Sequence, residues 1–305
     1  MPQALAETDL SDLADEVIAI FGPTASGKSA VAEVLARRLG TEIVSADAMQ
    51  AYRGLAILTN QPKHRPRLCA IWPLDHDGSV GEYQALAHSA IDEVVAAYGT
   101  AVVAGGTGLY LRAALAELAM PPAPARSART RWETVYDTDR AAAHARLAAL
   151  DPEAAALVHP HDRRRVVRAL ELAEVGSSLA PGDSRLWSGQ NRRPTLIVGL
   201  EVPVAELVRR IGVRVQAMFE RGVVEEVRTA LAQPVSRAAA KALGLEEIAT
   251  LPADEAKERI VVRTRQYAAY QRKWMRRIPS LVTVDGTNDA EEVADAILEV
   301  ARARQ

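Results

Sequence analysis

Residues Gly22-Pro-Thr-Ala-Ser-Gly-Lys-Ser29 follow an apolar run of strand length, Val17-Ile-Ala-Ile-Phe21, and open directly into a helical pattern. A glycine-bearing turn between strand and helix, closed by Lys-Ser, is a phosphate-binding loop. Its glycines let backbone N–H groups turn inward, the helix start adds the positive end of its dipole, and Lys28 adds a full charge. Gly22, Pro23, Thr24, Ala25, Ser26, Gly27, Lys28 and Ser29 are therefore the candidate phosphate ligands, and Ser29 is placed to ligate a Mg²⁺ bridging two phosphate groups.

The loop does not by itself specify ATP. An NTPase of this kind ordinarily carries a second apolar strand that ends in a metal-holding acid, whereas Ala101-Val-Val-Ala104 runs into Gly105-Gly106-Thr107. The nearest acid after a strand is Asp47, beyond Glu42-Ile-Val-Ser-Ala46. In a doubly wound sheet neighbouring strand ends share one crevice, so Asp47 and Thr107 are expected to face the phosphate site from two sides. An Asp in this position also reads as a plain helix cap, and both readings stay open at this level.

Alternation of strand and helix runs from Val17 to about Leu118, with helices expected at Glu82–Ala97 and Leu109–Leu118. Met120-Pro-Pro-Ala-Pro124 then breaks the chain, and Ser127 to Val175 shows helical patterns only, before a turn-rich stretch and a returning strand at Thr195–Leu200. The fold expected is a P-loop NTPase-like parallel α/β sheet core, residues 1–121 and 194–305, with an inserted all-helical domain at 122–193. The part after 203 reads as mainly helical, with a strand at Leu281–Val284.

The formal net charge of −2 does not call for nucleic acid, but its distribution is uneven: 32 of the 37 basic residues are Arg. They cluster at Arg163-Arg164-Arg165 with Arg168 and at Arg272-Lys273 with Arg276-Arg277, and guanidinium forks suit RNA phosphates. A basic run is more often simply a solvated helix face. The single cysteine, Cys69, excludes an internal disulfide, and no Cys/His grouping suggests zinc. The acidic start, Met1 to Glu16, is unlike a secretory signal, and no run approaches the roughly 18 apolar residues of a membrane span. A cytoplasmic, monomeric protein without membrane contact is expected.

Taken in order, Gly22–Ser29, Ser45-Ala-Asp-Ala-Met-Gln-Ala-Tyr-Arg-Gly54, Thr59-Asn-Gln-Pro62 and Gly105-Gly-Thr-Gly-Leu-Tyr110 resemble the motifs of the tRNA dimethylallyltransferases, or tRNA isopentenyltransferases. His159-Pro-His-Asp162, Arg163-Arg-Arg-Val-Val-Arg168-Ala-Leu-Glu171, Thr264-Arg-Gln-Tyr-Ala268 and Trp274 extend the resemblance over nearly the whole chain. It implies transfer of a dimethylallyl group from dimethylallyl diphosphate to N6 of the adenosine beside the anticodon in tRNA, with Mg²⁺ as cofactor. The loop, of the nucleotide- and ATP-binding type, would then bind a diphosphate, and the helical insertion would clamp the anticodon stem-loop.

The resemblance implies catalytic roles for Asp47 as the base toward N6, for Lys28 on the leaving group and for Thr107 on a diphosphate oxygen, with Thr24 assisting. It also implies tRNA contacts by Asp47, Ala48, Met49, Gln50, Thr107, Arg129, Arg164, Arg165, Val166, Val167, Arg168 and Lys241. The chain departs from the family pattern at Gly244-Leu-Glu246, where a basic diphosphate contact is usual, at Ala269 and Tyr270, and at Pro66-Arg-Leu-Cys-Ala70. Three other classes stay open: an adenylate prenyltransferase of the cytokinin type, an ordinary P-loop kinase, and a weakly active or non-catalytic tRNA-binding relative. Loss of the helical clamp marks the first, a metal-binding acid after the second strand marks the kinase, and the charge reversal at Glu246 argues for the last.

Overall fold

In the computed structural model, which describes residues 16–120, 126–180 and 185–304, the apolar run after Glu16 forms β1 (Val17–Phe21), buried at every position. The loop follows, then α1 (Lys28–Leu39) and β2 (Ile43–Ser45). Ser79 caps α2 (Val80–Tyr98) by accepting the amide of Glu82, and Gly99 ends it in the left-handed region at φ 78°. Next come β3 (Ala101–Gly105) and α3 (Gly108–Leu115). Helix α2 starts two residues before the sequence expectation because of the Ser79 cap, and α3 stops at Leu115, short of Leu118.

Four helices follow: α4 (Arg126–Thr138), α5 (Arg140–Leu150), α6 (Pro152–Leu157) and α7 (Arg163–Glu174). The chain then returns through a 3₁₀ turn at Arg185–Trp187 to β4 (Thr195–Glu201), α8 (Val204–Glu220), α9 (Val223–Leu231), α10 (Leu245–Thr250), α11 (Ala253–Met275), β5 (Leu281–Asp285) and α12 (Ala290–Arg302). The chain divides into two compact units: one runs through Glu117 and resumes at Leu186, the other is Leu118–Arg185. The stretch from Leu186 to Arg193 stays with the sheet unit because fully buried Arg112 donates to the carbonyls of Leu186 and Gln190 and to Asn191 Oδ1, while Arg192 and Arg193 pair with Asp92. The proline-rich break at 121–124 and most of the acidic start fall outside the described residues.

Among the described residues the sheet has five strands in the order β2-β3-β1-β4-β5, all parallel. A parallel sheet must be covered on both faces, which is why the central residues of β1, β3 and β4 are apolar without polar alternation. Ile18, Ile20, Val102, Leu196 and Val198 pack with Leu35 of α1 and Ile297 of α12. Each such side chain contributes about 1.5–3 kcal/mol by leaving water. The helical unit has its own core, centred on Tyr136, Leu147, Val166, Val167 and Leu170. Among the described residues no helix is long and apolar enough to cross a membrane.

The register decides where chemistry is possible. Phe21 lies opposite Gly105 and Ser45 opposite Ala104, so Gly22, Ala46 and Gly106 leave the sheet side by side at the carboxyl ends of three adjacent strands. Gly105 is required there: a Cβ on it would stand 2.0 Å from the Ala46 carbonyl oxygen.

Candidate active site at the strand ends

The loop after β1 is held in a conformation that costs energy. Ala25 has φ 66° and Gly27 φ 91°; the second suits glycine, whereas the first is a left-handed alanine that surrounding contacts must maintain. Ala25 packs against the cluster of Ile211, Val215, Ile260 and Ala268 from α8 and α11. Two loop amides are already engaged. Thr24 N–H donates to Gln271 Oε1 at 2.7 Å, and Ser26 N–H donates to the Pro23 carbonyl at 3.2 Å. Among the described residues the buried Ser26 hydroxyl has no hydrogen-bond partner, which is the kind of group a phosphate oxygen would satisfy.

Lys28 is half-buried and donates to the Pro23 carbonyl at 2.7 Å. Burial pushes its ammonium down to about 8, a shift opposed by Asp47 and reinforced by Arg214. Arg214, on α8, was not among the sequence candidates; its only local signal is one Arg among several on an amphipathic helix. Its Nη1 donates to Thr24 Oγ1 at 2.9 Å, and burial lowers its proton affinity against the pull of Asp47. It thus brings a second cation to the loop, while Glu246, where the family pattern expects one, is exposed in the first turn of α10. Arg214→Gln is expected to weaken binding of a phosphate-bearing ligand at this loop about 10- to 100-fold, the scale of one charge-assisted contact of about 1.5–3 kcal/mol. Ligand affinity matching the parent's would remove Arg214 from the site.

No helix follows Asp47, so the helix-cap reading is not met; its Oδ1 instead holds an Asx-type turn, accepting from Met49 N–H at 3.0 Å and Gln50 N–H at 3.4 Å. Among the described residues no hydrogen bond reaches its Oδ2. Thr107 Oγ1 lies 3.4 Å from the Ala48 amide and 3.4 Å from the Tyr267 hydroxyl. Burial, with the charge of Asp47 adding to it, pushes Tyr267 up to about 12, so it remains a donor at neutral pH. Buried Tyr83 donates to the Ser45 carbonyl at 2.9 Å and steadies the strand end before Asp47. The loop, Asp47, Ala48 and Thr107 are therefore gathered in one crevice, together with Arg214, Tyr267 and Gln271 from distant sequence.

Other candidates are engaged elsewhere. Gln50 turns inward, donating to the Asn60 carbonyl at 3.1 Å, while Met49 is half-buried. Lys241 is exposed at the end of a 3₁₀ turn. In the helical unit Arg164 and Arg165 are exposed on α7, but Val166 and Val167 are buried at 0% and 2%. The helical period turns those two side chains into the core, so Arg164 and Arg165 are the exposed side chains of this stretch. Arg129 and Arg168 converge on Glu171, whose side chain is wholly buried: Arg129 Nε donates at 2.6 Å and Arg168 Nη1 at 3.3 Å. Glu171→Ala is expected to destabilise this unit by about 1–3 kcal/mol, because two guanidinium groups lose hydrogen bonds to a buried carboxylate while remaining partly open to water. Denaturant unfolding checks this, and a change under 1 kcal/mol would mean that water replaces the carboxylate.

A parallel α/β protein with its polar residues gathered at the carboxyl ends of the strands is the class that fold and site define. Residues 50–278 match the family model of IPP transferase, and residues 15–66 that of isopentenyl transferase. The tRNA dimethylallyltransferase of Salinispora arenicola is 38% identical over 95% of this chain and 88% of its own length. That of Thermobifida fusca is 41% identical over 86% of this chain and 88% of its own. Among solved structures, the full-length tRNA isopentenylpyrophosphate transferase of Bacillus halodurans is similar with a TM-score of 0.67 at 27% identity, over 94% of this chain and 96% of that one. A eukaryotic dimethylallyltransferase acting on tRNA shares the fold with a TM-score of 0.77 at 24% identity, over 95% of this chain and 80% of that one. The chain belongs to the IPP transferase family, that of the tRNA dimethylallyltransferases.

Proposed function

We propose that this protein transfers a dimethylallyl group from dimethylallyl diphosphate to N6 of the adenosine 3′ of the anticodon in tRNA, releasing diphosphate. The observation that carries the reading is the presence at one loop of Lys28, Arg214 and the buried Ser26 hydroxyl, with Asp47 and Thr107 at the neighbouring strand ends, within a chain of this family. The first three groups suit an anionic leaving group, the last two a nucleophile that must lose a proton.

Cleavage of the allylic C–O bond leaves negative charge on the diphosphate, and preorganised cations aimed at that charge lower the barrier. Lys28 and Arg214 supply them in a half-buried setting where water screens little. The lone pair on adenine N6 is delocalised into the ring, so a carboxylate that accepts an N6 proton makes attack easier. Asp47 holds its turn through Oδ1 and offers Oδ2 for that proton. Thr107 stands between the two substrates in this reading, placed to donate to a diphosphate oxygen and to contact the acceptor, with the Tyr267 hydroxyl beside it.

Mg²⁺ fits the donor set. Among the described residues no group of three His, Cys, Asp or Glu side chains is gathered to hold a metal, and Mg²⁺ characteristically binds through one or two protein oxygens plus substrate phosphates and water. Ser29 would hold it, and when bound it would neutralise charge on the leaving diphosphate. The core is of the P-loop NTPase kind in this reading, used here without hydrolysis of a γ-phosphate. The helical unit, with Arg164 and Arg165 exposed on α7, serves as the clamp on the anticodon arm.

Mass spectrometry of tRNA nucleosides from cells with and without this gene tests the function. Dimethylallyl-adenosine, or products built on it, should disappear in the deletion and return with the parent gene. Unchanged tRNA nucleosides, with adenine nucleotides prenylated instead, would favour the adenylate-type enzyme.

A further inference from the structure

Gln271 stands on α11, 165 residues from Gly106 and 247 from Thr24, yet its side chain joins them. Its Oε1 accepts from Thr24 N–H at 2.7 Å, and its Nε2 donates to the Gly106 carbonyl at 2.7 Å. The side chain is 2% exposed, so water does not replace either bond. Thr24 belongs to the phosphate loop and Gly106 immediately precedes Thr107. One primary amide therefore ties the strand-end loop that faces the donor to the one that faces the acceptor.

The surroundings are shaped for this contact. A Cβ on Gly106 would lie 2.4 Å from Gln271 Nε2, and one on Gly108 2.3 Å from the Trp274 ring, one helical turn further along α11. Glycine at both positions lets α11 close onto the loop that carries Thr107. On the other side, the residue after Thr24 is the left-handed Ala25 at φ 66°, a conformation that persists only where neighbours over-determine it. Fixing the Thr24 amide from outside is one such constraint.

We infer that Gln271 is a positioning residue that sets the separation and orientation of the two half-sites, touching neither substrate. The inference rests on the prenyl-transfer reading above. An amide is the side chain this role needs, since one end must accept and the other donate. A carboxylate of the same shape would set an oxygen against the Gly106 carbonyl, and an aliphatic isostere would leave a buried N–H and a buried carbonyl without partners. Bond formation between the donor carbon and N6 requires a near-attack geometry in which a misplacement of about 1 Å costs on the order of 10²-fold in rate.

The test is single-turnover transfer to an anticodon stem-loop by Q271L, Q271E, G106A and the Q271L/G106A double variant, with affinities for each substrate measured separately. Q271L and G106A are each expected to lose about 10- to 100-fold in the transfer step, with both affinities within about threefold of the parent. The double variant should lose no more than the worse single one, because both break the same tie. Q271E should regain rate relative to the parent as pH falls, since a protonated carboxyl again accepts at one end and donates at the other; thermal melts confirm that each variant is folded at the assay temperature. Parent-like transfer by Q271L, a loss confined to the affinity for one substrate, additive losses in the double variant, or a pH-independent Q271E would each overturn the role. A parent that transfers no prenyl group to the stem-loop would overturn the functional reading and, with it, this one.

Discussion

Lys28→Ala is expected to lower single-turnover transfer by about 10²- to 10³-fold, the loss seen when one preorganised electrostatic group is taken from a developing charge. The ammonium sits at the loop beside Arg214 and Asp47, and no other lysine is near in sequence to take its place. Its proton is also the most pH-sensitive feature of the site. Burial holds Lys28 down at about 8, Asp47 opposes that shift and Arg214 reinforces it. An arriving diphosphate favours the charged form, so binding takes up a proton at and above that pH. Donor affinity should therefore be greatest below about pH 8 and fall as pH rises through it, approaching tenfold per unit at higher pH. Calorimetric titration of the donor between pH 6.5 and 9.5 checks the sign, and Lys28→Ala should flatten the profile. Transfer that proceeds at the parental rate in this variant would remove Lys28 from the mechanism.

Asp47→Asn is expected to cost about 10²- to 10⁴-fold in the same assay, the range of a general base. Asparagine keeps the oxygen that accepts from Met49 and Gln50, so the turn survives while the second oxygen becomes an NH₂ that takes no proton. Donor and tRNA affinities should stay near parental values. Asp47→Ala adds the loss of the turn's side-chain hydrogen bonds, worth about 1 kcal/mol, and comparison of the two variants separates folding from chemistry. Rates unchanged in Asp47→Asn would leave Asp47 with its role in the turn alone.

Local pattern made part of this site legible. A strand, a Gly-rich turn and Lys-Ser occupy consecutive positions, so the loop at Gly22–Ser29 between β1 and α1 is visible in the sequence, as is the parallel sheet implied by alternating apolar runs and amphipathic helices. Asp47 and Thr107 were also readable, because each follows a strand and strands of one parallel sheet end on one side. The change to helices alone after Thr107 and α3 was equally plain. These are properties of neighbouring residues, and the period of the chain carries them.

What the tertiary structure alone decided lies on helices whose faces no local pattern labels. Arg214 and Gln271 reach the loop from about 190 and 247 residues away, and nothing in their own segments separates them from Arg209, Arg210 or Gln266. Packing made that choice: Gly106 and Gly108 let α11 come close enough for Gln271 to bridge two loops, and the α8–α11 cluster under Ala25 turns Arg214 inward. The same is true of Arg129 and Arg168, which a charge count offers as free cations and the fold binds to buried Glu171. A sequence by itself determined which groups were present and which strand ends they followed; only the folded chain determined which of those charges were already spoken for, because pairing and burial depend on neighbours brought together by packing.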